Sequence, residues 1–336
     1  MEKIILGLSG GVDSSVAAHL LKTAGWDVTG VFLVTGCDDG KDAESIARAL
    51  GIGFRRVDVR ESLEKFVKEP FTQAYLRGET PNPCIMCNPS VKFPTLFGVA
   101  DEIGAKYAAT GHYARTEIVD GRARLLRGRH ENDQSYMLSS LTQEQLLRIK
   151  FPLGNMNKAE IRAAAREIGL SVADKPDSME ICFIPDGDYG RFIEERVGGL
   201  PAGDFVDPAG NVLGRHRGIH RYTVGQRRGL GIALGRRMFV SRIDPEKNQV
   251  TLSEGDDIFV RELTLPEVNW ISIERPCGPV RCTVRVRHSK TETPAELTPI
   301  SGGARLVFET SVRAPTAGQS AVMYDGDIVL AAGIIV

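Results

Sequence analysis

KIILGLSGGVDSSVAAHLL, residues 3–21, decides the fold. "KIILGL" is apolar without alternation, the pattern of a strand covered on both faces in a parallel sheet. Two glycines, Gly10 and Gly11, come next. Val16, Leu20 and Ala24 then recur at i, i+4 and i+8, and Gly25 stands as a stop, which predicts a helix. A buried strand that passes through a glycine turn into a helix is the first unit of an α/β domain.

The unit repeats along roughly the first 195 residues. "DVTGVFLV" reads as a second strand, "DAESIARALG" as a helix ending at Gly51, "FRRVDV" as a third strand and "AKYAATGH" as a further one. "NKAEIRAAAREIG" opens with Asn157 as N-cap and Glu160 placed for a capping box. This alternation implies right-handed crossovers and a doubly wound, mostly parallel sheet. The texture changes after Val197: "GGLPAGDFVDPAGNVLG" is dense in turn-formers, and short β-rich runs such as "RMFVSRI", "QVTLSE", "ARLVFE" and "DIVLAAGIIV" continue to the end. The expected organisation is an α/β domain over 1–197, a small β-rich domain over 198–258 and a C-terminal β-barrel over 259–336.

The loop "GLSGGVDSS", residues 7–15, carries chemistry. Gly10 and Gly11 let backbone approach a ligand with no Cβ in the way, and Ser9, Ser14 and Ser15 add hydroxyls. Backbone N–H groups and the positive end of the helix meet at one spot, which suits an anion. A Walker loop is excluded because no lysine follows the glycines, and a dinucleotide fingerprint because their spacing is wrong. The stretch resembles the S-G-G-x-D-S loop of the PP-loop, or N-type, ATP pyrophosphatases, whose sheet is of the adenine-nucleotide α-hydrolase-like kind. That resemblance implies ATP cleaved between its α and β phosphorus atoms. Gly7, Leu8, Ser9, Gly10, Gly11, Val12, Asp13, Ser14 and Ser15 would surround the phosphates, and Asp13 would act through Mg²⁺, an ion suited to hard oxygen ligands.

Composition bounds the rest. The chain has 336 residues, two or three domains by size, and ordinary apolar and charged fractions. No apolar run approaches the ~20 residues of a membrane span, and the start lacks a cleavage site, so the expected location is cytoplasmic with no membrane partner. There the six cysteines read as thiols, ligands or catalysts before disulfides. The net charge of −1 conceals asymmetry: residues 201–242 hold eight Arg against two Asp, residues 122–129 hold four Arg, and "RCTVRVRHSK" has no acid. Three basic clusters in a neutral chain favour contact with a polyanion.

"NPCIMCN", residues 82–88, sets Cys84 and Cys87 three apart among turn-formers, and Cys182 sits in "KPDSMEICFIP". With "ATGHYAR" and "RYTVGQRRGLGI", these blocks resemble, in order and over nearly the whole chain, the tRNA-specific 2-thiouridylases. The resemblance implies ATP-dependent 2-thiolation of the wobble uridine of tRNA. The C2 oxygen is adenylated, sulfur displaces AMP, and a sulfur-donor protein, either a cysteine desulfurase or a sulfur carrier, supplies the atom. Cys182 matches the cysteine that receives sulfur as a persulfide, and Cys87 the nucleophile that attacks it or forms a disulfide with Cys182. Many relatives carry Asp where Cys84 stands. With three thiols, Cys84, Cys87 and Cys182 could instead hold a [4Fe–4S] cluster, or with His112 a zinc ion. Cys37, Cys277 and Cys282 match no motif.

The same resemblance distributes the RNA contacts. A stacked wobble base must be flipped out, a cost of a few kcal/mol. Asn82, Pro83 and Cys84 are expected to form the loop that meets it, with His112 near the base. Gly111 and Leu33 are expected beside the adenine. Asn132, Asp133 and Gln134 match a segment that touches tRNA, although Asn132 lacks the usual positive charge. Arg285, Val286 and Gln319 match barrel positions on the anticodon stem-loop, although Val286 stands where an aromatic is usual. Another PP-loop synthetase or a non-catalytic RNA-binding protein are the rival readings.

Overall fold

The computed structural model describes residues 1–176, 180–233, 235–289 and 291–336, so residues 177–179 of the Cys182 block lie outside the described set. The first units form as read: β1 (Lys3–Gly7), α1 (Val12–Thr23), β2 (Asp27–Val34), α2 (Lys41–Leu50), β3 (Gly53–Asp58) and β4 (Tyr107–Ala109). The sheet runs β3-β2-β1-β4 and ends on the short strand Ile149–Lys150, with every pairing parallel. The chain winds outward from β1 to β3, then returns to place β4 on the other side of β1. That reversal opens a crevice at the carboxyl ends of β1 and β4, where such sheets bind ligands.

Alternate side chains of β1 serve opposite faces, which is why its run is apolar throughout. Ile5 packs with Phe93, Leu96 and Ala100 on one side, while Ile4 and Leu6 pack with Val16, Ala17 and Ile46 on the other. The helix Lys158–Glu167 begins with the expected capping box, Asn157 and Glu160 bonding reciprocally.

Beyond the helix Tyr189–Val197, the described residues are strands, turns and single 3₁₀ turns. Gly203–Val206, Val212–His216, Phe239–Asp244 and Gln249–Ser253 make a four-stranded sheet around Phe205, Val240, Val250 and Leu252. The C-terminal strands form the barrel sheet, which also takes in a hairpin from within the first domain, Ala114–Val119 with Arg122–Arg127. Ile328 of the last strand pairs with Leu126. The hairpin was not legible as part of the barrel, because its partner lies some two hundred residues further along the chain. Among the described residues no helix is long and apolar enough to cross a membrane.

Candidate active site

The loop after β1 is knitted by its own hydroxyls. Ser15 Oγ donates to the Gly11 carbonyl at 2.7 Å, Ser14 Oγ donates to the same oxygen at 3.1 Å, and the Ser9 amide donates to Ser14 Oγ at 3.2 Å. Gly10 has φ +80°, and a Cβ there would stand 2.9 Å from the Ala43 amide nitrogen, so the loop also touches the first turn of α2. From β4, Gly111 closes over α1: a Cβ on it would lie 3.0 Å from Ser14 N and 3.1 Å from Asp13 C. Glycine is needed at both places because backbone meets backbone. The result is a cradle of amides at the N-terminus of a twelve-residue helix, the arrangement that holds phosphates.

Asp13 is oriented by two groups that pattern reading did not single out. Tyr113 Oη donates to Asp13 Oδ1 at 2.6 Å, and Lys158 Nζ donates to the same oxygen at 2.7 Å. Both bonds fall on Oδ1. Lys158 did carry a signal: it occupies the first position of a helix, where a cation opposes the macrodipole. Lys175, bonded to Asp42 at 2.6 Å, adds charge at the start of α2.

The segment read as a loop is a helix. Pro83–Cys87 forms a short helix that continues through a π-turn, Asn88–Lys92, into Phe93–Ile103. Asn82 is its N-cap, Oδ1 accepting from the Cys84 and Ile85 amides at 3.1 and 3.4 Å, and Pro83 takes the first helical position. The helix explains the C-x-x-C spacing, since residues three apart share a face. Cys84 is exposed and Cys87 half-buried. Cys87 packs in the same apolar cluster as Ile181 and Phe183, the neighbours of Cys182, and the cluster is shared with Leu33 at the end of β2.

The two distant cysteine stretches therefore meet. Burial first, then the neighbouring Cys87 and Cys84 sulfurs, push the Cys182 thiol up to about 11, with Cys37 adding to the effect and Lys92 opposing it. Cys182 keeps some exposed surface, but the protein around it still disfavours a thiolate. Burial likewise raises Cys87, and Lys92 again opposes it. Burial, then Lys92, holds His112 well below the ordinary histidine range. A neutral His112 shares Nδ1 with Thr110 Oγ1 at 2.7 Å. Lys92 is thus the cation common to both thiols and the imidazole. Among the described residues no three His, Cys, Asp or Glu side chains converge on a point that could hold a metal ion. Cys84, Cys87 and Cys182 do not form such a group with one another or with His112.

Several residues expected on RNA have internal partners. Arg285 and Asp133 bond each other at 3.0 Å with side chains 11% and 10% exposed. Arg285 also pairs with Glu292, and Asp133 accepts from Gly128 N and Ser135 N. Val286 is buried in the barrel core, so a base cannot stack on it. Gln134 Oε1 accepts from the Tyr113 amide at 3.0 Å, and Gln319 Nε2 donates to the Thr80 carbonyl at 2.5 Å. Asn132 is exposed. Of the arginines in 122–129, Arg122 donates to the Trp270 and Ile273 carbonyls and Arg127 pairs with Glu292. In the central domain, by contrast, Arg217, Arg227, Arg228 and Arg237 have no ion pair among the described residues. Arg227 and Arg237 line a cavity of about 380 Å³ with Leu230, Ile232 and Met238.

Comparison with known proteins assigns the whole chain. Residues 2–186 match the tRNA methyl transferase HUP domain, 190–254 the tRNA methyl transferase PRC-barrel domain and 260–335 the aminomethyltransferase β-barrel domain. The tRNA-specific 2-thiouridylase MnmA of Acetivibrio thermocellus is 45% identical over 99% of both chains. This chain belongs to the tRNA-specific 2-thiouridylase family. Further 2-thiouridylases, from Clostridium perfringens at 44% identity and Clostridioides difficile at 42%, cover 99% of the chain and 98% of their own length. Among solved structures, a 4-thiouridine synthetase–RNA complex with bound ATP aligns over 58% of this chain and 50% of its own, at 22% identity and a TM-score of 0.38. Within the 2-thiouridylase family, this chain carries an amide-lined loop at the start of α1, the Asp13 carboxylate within that helix, and a cluster that joins the Cys87 and Cys182 stretches.

Proposed function

We propose that the chain replaces the C2 oxygen of the wobble uridine (U34) of tRNA with sulfur at the expense of ATP. The observation that carries this reading is the convergence of Cys182 on Cys87 at the sheet edge that holds the phosphate loop. Cys37 follows the end of β2 and lies within electrostatic reach of Cys182, which ties the thiols to that edge. The loop amides of residues 9–15 would hold the β and γ phosphates, and Asp13 Oδ2 would face Mg²⁺. The uridine oxygen attacks the α-phosphorus and pyrophosphate leaves. The terminal sulfur of a Cys182 persulfide then adds to C2 and AMP departs. Cys87 attacks Cys182 Sγ, releasing the 2-thio base and leaving a Cys87–Cys182 disulfide for an external dithiol to reduce. This sequence suits a reducing, cytoplasmic setting and a protein donor that loads the exposed Cys182. The unpaired arginines of the central domain would grip tRNA phosphates without reading sequence. We divide the roles at 1–197 for catalysis, 198–258 for the central domain and 259–336 for the barrel.

The test is thiolation of unmodified tRNA under argon, comparing sulfide with a persulfide donor. The expected result is 2-thiouridine with equimolar AMP and pyrophosphate, lost in Cys182→Ser and Cys87→Ser. Full activity in Cys182→Ser, or methyl transfer to tRNA in place of thiolation, would overturn the reading.

A further inference from the structure

Residues 78–81, just upstream of the C-x-x-C helix, are where the three parts of the chain meet. The Thr80 amide donates to the Ala317 carbonyl at 2.8 Å, and its own carbonyl accepts from Gln319 Nε2, so the barrel grips Thr80 on both backbone groups. Thr80 Oγ1 donates to Thr223 Oγ1 of the central domain at 3.1 Å. The fit is close on both sides. A Cβ on Gly318, at φ +87°, would stand 3.1 Å from Pro81 N and Thr80 C. One on Gly78, at φ +76°, would stand 2.7 Å from Ile243 of the central sheet.

The chain beyond Thr80 has no slack. Pro81 and Pro83 fix φ at alternate positions, and each holds the residue before it extended. Asn82 between them is the cap of the helix that carries Cys84 and Cys87. Downstream the helix is held to the catalytic domain, with Ser140 Oγ donating to the Ile85 carbonyl at 2.6 Å and Asn88 Nδ2 to the Met137 carbonyl at 2.7 Å. A shift of the two β domains against the sheet would therefore reach the helix through Thr80.

We propose that Thr80 is a positioning residue, through which RNA held by the β domains sets the orientation and reactivity of Cys84 and Cys87. The inference rests on the thiolation reading for its purpose, but its readout does not. In the full-length protein, iodoacetamide alkylation of Cys84, Cys87 and Cys277 is followed by peptide mass spectrometry with and without unmodified tRNA. Thr80→Val, Thr80→Ser and Gly318→Ala are compared with the parent. The expected result is that tRNA changes the Cys87 rate at least about threefold in the parent and in Thr80→Ser, which keeps the donor. Thr80→Val and Gly318→Ala lose that response and about tenfold in single-turnover thiolation, with tRNA affinity kept within about twofold. Cys277 reports no change in any of them. An intact Cys87 response in Thr80→Val and Gly318→Ala, a Thr80→Ser variant that behaves like Thr80→Val, or a parent without a tRNA response would each overturn the proposal. A parent that shows the tRNA response yet forms no 2-thiouridine would support the coupling while removing the thiolation reading.

Discussion

Lys92 is half-buried, and it opposes the rise in the thiol pKa of both Cys87 and Cys182 while depressing His112. Thiolates attack and thiols do not, so a cation that acts on both sulfurs bears directly on rate. In Lys92→Met the alkylation profiles of Cys87 and Cys182 should both move to higher pH. His112, followed by NMR, should also titrate at higher pH. The shared direction matters, because loosening the fold would instead lower the thiols toward their exposed value. Unmoved profiles would show that the ammonium does not act on the sulfurs. Cys182 is singled out by the sequence, since a motif surrounds it. Lys92, Tyr113 and Lys158 are not, because their roles depend on what faces them across the fold. Arg285 shows the same limit: an arginine in a basic run has the same letters whether it meets RNA or, as here, pairs with Asp133.

At the scale of elements, the strands and helices around β1 could be read because burial on two faces writes itself as unbroken apolar runs. The C-x-x-C segment misled because Pro and Asn also build turns. Yet Asn followed by Pro is equally a helix start, the cap satisfying two amides and proline costing no hydrogen bond at the first position. Asn82→Ala should cost about 1 kcal/mol through the lost cap, and Asn82→Ser should recover most of it. For a domain of this size that is a fall of about 2–4 °C in Tm, readable by calorimetry on the full chain. Equal Tm values for the parent and Asn82→Ala would mean that packing alone holds the helix.

At the scale of the molecule, the barrel is built into the catalytic domain. Burial alone would raise Glu292, but hydrogen bonds from Arg127 of the hairpin and Arg285 of the barrel outweigh it and hold the carboxyl at about 2. A carboxyl depressed below its unfolded value of 4.5 stabilises the fold above that pH and loses its contribution as pH falls from 4.5 toward 2. Glu292→Gln should lower Tm at pH 7 and flatten its dependence on pH over that window. The same seam runs deeper. Asn269 donates to the Ser139 and Leu141 carbonyls, Leu125 N donates to Ser272 Oγ at 3.0 Å, and Ile271, Val322, Tyr324 and Val329 complete the core that Ile5 and Phe93 begin. Removing residues 259–336 would open that core, leave the hairpin edge at Leu126 unpaired and strand the Arg122 and Arg127 guanidiniums without acceptors. Exposing that apolar core to water removes a large part of a domain's whole stability. Chain 1–258 should therefore unfold without a cooperative transition and bind ANS (8-anilinonaphthalene-1-sulfonate). A cooperative calorimetric peak near the full-length Tm would show instead that the catalytic core closes without the barrel.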